Sequence, residues 1–142
     1  MQLFYCPDIS RGVQMLPEDE ALHCIKVLRK TEGQEIDITD GTGGYSGALR
    51  AARPKNLYVT VLSSRQTHMP DYNIHIALSP TKSPERMEWF VEKVVEIGID
   101  SISFFQSEHS ERSHLNLDRL RKKAVSAMKQ SERAFFFLAS MK

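Results

Sequence analysis

Lys82 and Arg112 lie thirty residues apart, each in a polar segment that follows an apolar run: Ser79-Pro80-Thr81-Lys82-Ser83-Pro84 in one case, Ser107-Glu108-His109-Ser110-Glu111-Arg112-Ser113-His114 in the other. If both runs are parallel strands, both segments leave the carboxyl end of the sheet, where ligands bind in open α/β folds. Two cations in one cleft suit a polyanion or a reaction that develops negative charge. A pair of solvated loop cations is the plain alternative. No Ser-His-Asp or Cys-His arrangement accompanies them, and His109 and His114 have no evident orienting partner.

Other cations cluster by sequence. Lys26, Arg29 and Lys30 close a helix, and Arg50, Arg53 and Lys55 could join them to form a patch for a phosphate backbone. His23 falls on the polar side of that helix with Lys26, as an RNA contact or a surface hydrogen-bonding group. Near the end of the chain Arg119, Lys122, Lys123 and Lys129 form one face of a helix, either solvated or turned toward RNA. The net charge is only +1, but residues 113–142 hold seven basic and two acidic groups, against four and eight in residues 71–112. Asp40-Gly41-Thr42-Gly43-Gly44 looks like a phosphate loop, yet it joins two strands and opens no helix, so a hairpin turn is expected. Cys6 and Cys24 lack metal or redox spacing and read as buried thiols, and no metal is expected.

The elements that hold these residues fall into two groups. Residues 1–67 read as a β-rich domain: a strand over 3–6, a helix over 17–29 with Ala21, Cys24, Ile25 and Leu28 inward, and strands over 35–39, 45–52 and 57–62. A linker over 68–72 follows. Residues 73–142 read as β-α-β-α: strands over 73–79 and 99–105, helices over 84–97 and 116–133, a pattern that argues for a parallel sheet. Two strands make a poor sheet, so this domain is expected to be incomplete. On the helix over 84–97, Met87, Phe90, Val91, Val94, Val95 and Ile97 form an apolar face and Glu85, Glu88, Glu92 and Glu96 a stripe opposite. Trp89 lies on the polar side, which predicts packing against a neighbouring domain or subunit, with base stacking as the sharper alternative.

At 142 residues, 41% hydrophobic and 26% charged, the composition is that of a soluble globular chain. No run is long enough to span a bilayer and no secretion signal is present, so no membrane partner and a cytoplasmic location are expected.

The ordered set His23-Cys-Ile-Lys-Val27-Leu28-Arg29, Asp40-Gly41-x-Gly43, Lys82, Glu92-Lys93-x-x-Glu96-x-Gly98, Glu111-Arg112-Ser113 and Ala127-x-x-Gln130-Ser131-x-x-Ala134 resembles the RsmE family of 16S ribosomal RNA uridine-N3 methyltransferases. The resemblance implies an α/β chain with a β-rich start: a PUA-like small β-barrel for RNA, then the first β-α-β-α half of a SPOUT α/β-knot domain. It also implies S-adenosylmethionine as methyl donor in the full-length protein, 16S rRNA of the small ribosomal subunit as partner, and a homodimer. Lys82 and Arg112 become the active-cleft candidates, and His23, Lys26, Arg29, Lys30, Arg50, Arg119, Lys122 and Lys123 the RNA-facing ones. The family's G-P-E-G-G loop and L-G-x-x-I-L-R-x-E-T-A segment, which build the knot and cofactor pocket, have no counterpart here. After Ala134 the family continues with a proline-containing strand, where this chain has Phe135-Phe136-Phe137-Leu138-Ala139-Ser140. The expectation is therefore a fragment truncated before the cofactor site, with no cofactor bound to it. An RNA-binding module without catalysis, or a non-functional fragment, is the alternative.

Overall fold

A computed structural model describes residues 2–9, 12–53, 56–65, 71–108, 115–133 and 137–141. The chain divides into two compact units, Met1–His68 and Met69–Lys142.

In the first unit, strands β1 (Leu3–Tyr5), β2 (Val13–Met15), β3 (Glu35–Thr39), β4 (Gly44–Arg53) and β5 (Asn56–Arg65) form one sheet in the order β1-β3-β4-β5-β2. β1 runs parallel to β3, and the other neighbours are antiparallel. Alternation decides what goes inside: Ile36 and Ile38 from β3, Leu49 from β4, and Leu57 and Val59 from β5 join Phe4 and Leu16 in a buried cluster. One helix covers it. Pro17 precedes helix α1 (Glu18–Leu22), whose first turn is acidic, as suits the positive end of the peptide dipoles. Ala21 and Cys24 are fully buried on its inner face, and Ile25 and Leu28 pack against the cluster. Burial pushes both cysteine thiols above their ordinary pKa, which disfavours the reactive thiolate.

The helix does not continue as an α-helix to residue 29. From His23 to Val27 it widens into a π turn, with the Leu28 N–H bonded to the His23 carbonyl five residues back at 3.1 Å. β2 also has no counterpart in the elements expected from sequence.

In the second unit, β6 (His75–Leu78), α2 (Pro84–Ile97), β7 (Ser101–Phe104), α3 (Leu117–Gln130) and β8 (Phe137–Met141) follow one another, and the three strands are parallel in the order β6-β7-β8. The terminal apolar run is thus a third strand, with Ser101 opposite Phe137 and Ile102 opposite Leu138. Ile102 and Phe104 are buried with Met87, Val91, Val94 and Val95 of α2 and Leu120, Ala124, Ala127 and Met128 of α3. Both helix starts are capped as their residues dictate: Ser83 Oγ accepts from the Arg86 N–H at 3.3 Å, and Asn116 Oδ1 from the Arg119 N–H at 3.0 Å. Ile97, read as part of the apolar face, is instead 71% exposed at the last position of α2.

Candidate nucleic-acid interface and catalytic cleft

Asp40 settles the glycine-rich segment first. Its Oδ1 accepts from the Thr42 N–H at 2.7 Å, the Thr42 hydroxyl at 2.8 Å and the Gly43 N–H at 3.0 Å. The Gly41 N–H goes to Thr39 Oγ1 at 2.9 Å. A phosphate cradle needs those amides aimed outward, and here they are consumed in an Asx-type turn between β3 and β4. Asp40 also receives the Tyr45 hydroxyl at 3.4 Å, and burial together with this carboxylate raises the phenol's pKa.

The cations of the first unit stand differently. Lys26, Arg29 and Arg50 are exposed and Lys30 is half-buried. None of the four has an ion-pair partner among the described residues. Their charge is available to an external anion. His23 does not share that surface fully: it is half-buried, its ring edge meets Phe4 with centroids 6.2 Å apart, and its Nε2 pairs with the Gln2 side-chain amide at 2.7 Å. Lys55 and the Arg53 side chain lie outside the described residues.

Two cations of α3 are committed to glutamates of α2. Lys123 Nζ pairs with Glu92 Oε2, and Arg119 Nε lies 2.5 Å from Glu88 Oε1. The Arg119 contact is electrostatic, since that oxygen keeps no aligned hydrogen bond. Lys93 extends the ladder along α2 to Glu92 and Glu96, each at 2.9 Å. Hydrogen bonds from Lys123 and then Lys93 hold Glu92 below the ordinary carboxylate pKa, and hydrogen bonds to Glu96 and Glu92 hold Lys93 above its own. The two charged stripes read from the sequence therefore meet across the α2–α3 packing instead of both facing water. Lys122 is exposed and outside the ladder.

At the carboxyl ends of β6 and β7 the first residues of the two polar segments meet, with the Ser79 hydroxyl donating to the Ser107 hydroxyl at 3.4 Å. Lys82 is exposed in the loop that leads into the capped start of α2. Arg112, His109 and His114 lie outside the described residues. Phe105, not singled out from the sequence, continues β7 into this rim: its N–H donates to the Leu78 carbonyl at 3.1 Å and its ring is 42% exposed. The signal was the Phe104-Phe105 pair, because alternation along a strand buries one ring and turns the next outward. Among the described residues, no group of three or more His, Cys, Asp or Glu side chains could hold a metal, and no helix is long and apolar enough to cross a membrane.

A β-rich unit whose cations at Lys26, Arg29, Lys30 and Arg50 have no ion-pair partner among the described residues is joined in one chain to a parallel α/β unit with a polar rim at its carboxyl edge, an arrangement suited to an anionic ligand. A family model described as an RNA methyltransferase domain matches residues 68–139, so the chain belongs to the RNA methyltransferase domain family. A second model, an RNA methyltransferase PUA domain, matches residues 16–62.

Solved structures agree with that assignment. A probable rRNA-methyltransferase from Porphyromonas gingivalis is 43% identical, with a TM-score of 0.92 over 100% of this chain and 60% of its own. A protein described as a predicted RNA methyltransferase from Thermotoga maritima is 28% identical, with a TM-score of 0.82 over 100% of this chain and 66% of its own. The ribosomal RNA small subunit methyltransferase E of Neisseria gonorrhoeae, solved bound to S-adenosyl methionine, is 25% identical, with a TM-score of 0.83 over 100% of this chain and 62% of its own. The chain thus spans less than two thirds of the length of each of these relatives.

Proposed function

We propose that the protein is an rRNA methyltransferase that methylates N3 of a uridine in the 16S rRNA of the small ribosomal subunit, in the cytoplasm, as a homodimer when full length. The observation that carries this reading is the 43% identity, across the whole chain, to a protein described as a probable rRNA-methyltransferase, joined to a family match over residues 68–139. The domain reading is a β-rich RNA-contacting part over 1–67, a linker over 68–72 and a methyltransferase part over 73–142.

S-adenosylmethionine is the proposed donor and supplies an electrophilic sulfonium methyl group. Ser79, Thr81, Lys82 and Ser107 form a polar rim that suits an anion; by themselves they do not fit the adenosine and sulfonium of that cofactor. The segments to which the resemblance assigns its pocket have no counterpart in the 142 residues. The residues present act on the nucleic acid. Lys26, Lys30 and Arg50 hold phosphates, while Lys82 and Arg112 stabilise the negative charge left on the uridine when its N3 proton is lost. Fixing N3 in line with the methyl group supplies a further part of the rate.

The test is methyl transfer to small subunits by the complete enzyme and by its Arg112→Ala and Lys82→Ala variants. Losses of roughly 100-fold in turnover are expected for Arg112→Ala. Undiminished turnover in both variants contradicts the assignment, and RNA binding with no transfer by the complete enzyme favours a non-catalytic module.

A further inference from the structure

Arg29 has a φ of 53°, in the left-handed region where a side chain's Cβ crowds the following carbonyl and where glycine is the usual occupant at a helix end. The left-handed residue sits where the π turn closes. The Leu28 N–H reaches the His23 carbonyl at 3.1 Å, and the Lys30 N–H then reaches back six residues to the Cys24 carbonyl, also at 3.1 Å. The chain reverses between those two bonds, with residue 29 left-handed at the reversal. Four residues later the chain uses glycine for such a position, Gly33 with φ 84°.

Nothing within the described fold explains arginine at residue 29. Its side chain is exposed and has no hydrogen bond or ion pair among the described residues. Beside it stand Lys26, also exposed, and Val27, an apolar side chain left 64% exposed. A π turn, a left-handed non-glycine residue and an exposed valine between two cations converge on one short segment. Backbone strain of this kind persists where it serves binding, and π turns recur at such places.

We propose that the strained backbone at Arg29 is retained to aim its guanidinium at an RNA phosphate, with Lys26 as the second cation and Val27 against the sugar between them. This inference rests on the reading of the first unit as RNA-contacting. The planar fork of a guanidinium meets two phosphate oxygens at once, so its direction matters more than that of a lysine ammonium. The fixed left-handed residue supplies that direction, at the expense of the stability a glycine would confer.

The experiment measures the chain and its Arg29→Gly and Arg29→Lys variants by thermal unfolding and by anisotropy with a fluorescein-labelled helix of small-subunit rRNA over a range of salt. Arg29→Gly is expected to unfold a few degrees higher, roughly the shift that relief of one left-handed residue brings. It is also expected to bind roughly tenfold more weakly, with a salt slope shallower by about one neutralised phosphate. Arg29→Lys should keep the parent's thermal midpoint and bind at an intermediate level. Unchanged RNA affinity in Arg29→Gly, or a midpoint that does not rise, overturns the inference while leaving the RNA reading in place. Absence of binding by the unsubstituted chain overturns the RNA-contacting reading itself, and this inference with it.

Discussion

Arg133 donates from Nη2 to the Ile97 carbonyl at 3.0 Å, and its guanidinium fills the space that a Cβ on Gly98 would need. The contact places a cation at the negative end of α2, where the Gly98 N–H reaches back to the Val94 and Val95 carbonyls. Gly98 has φ 98°, so alanine there meets backbone strain and the guanidinium together. Gly98→Ala should destabilise the second unit by roughly 1–3 kcal/mol. Adding Arg133→Ala should recover only the steric part, and denaturant midpoints of the two variants measure the split.

The ladder joining α2 and α3 makes the second unit sensitive to acid. Glu92 is held below its ordinary value of 4.5, so between the two values the unfolded chain binds more protons than the folded one. Its contribution is complete above 4.5 and is lost as the pH falls through the folded value. Lys93 works in the opposite sense: it is held above 10.5, so its contribution is complete below 10.5 and fades as the pH rises through the folded value. Glu92→Gln should lower the unfolding midpoint at neutral pH and flatten its decline on acidification. Added salt should shrink both effects, because the groups are close to solvent.

Pairing separates the two sets of cations that composition alone made look alike. Replacing Lys26 and Lys30 with alanine should weaken RNA binding and reduce the slope of log affinity against log salt by about 0.7 for each single-strand phosphate that is no longer neutralised. Replacing Arg119 and Lys123 should act mainly on stability, since Glu88 and Glu92 already hold them. Equal losses of RNA affinity from the two pairs of substitutions would contradict this division.

Trp89 is 63% exposed on α2, and the chain has one tryptophan, so its fluorescence reports on a single place. If it packs against a second copy, its emission should shift to the blue as protein concentration rises, and Trp89→Ala should weaken self-association without unfolding the chain. An RNA-stacked indole would instead be quenched on adding RNA at constant concentration.

The parts of the fold set by local chemistry were legible. α2 runs from Pro84 to Ile97 as its proline start, apolar period and following glycine require, and β3 runs from Glu35 to Thr39 as its alternation requires. What escaped depends on pairing between distant residues. β2 is three residues long with Val13 and Met15 exposed, and only its ladder with β5 makes it a strand. The run at Phe137–Met141 gains its role from β7. The π turn was hidden because Ala21, Cys24, Ile25 and Leu28 keep a plausible helical period through it. In the site, the cations at Lys26, Arg29 and Lys30 could be read directly, whereas the capture of Arg119 and Lys123 by glutamates required knowing which helices are neighbours. Arg112 lies outside the described residues, and its role rests on sequence.

The most direct test of the account is mass spectrometry of 16S rRNA from cells with and without the gene for this protein, quantifying N3-methyluridine. The modified nucleoside is expected to disappear on deletion and to return when the gene is restored. Its persistence at full level in the deletion strain would contradict the proposed function.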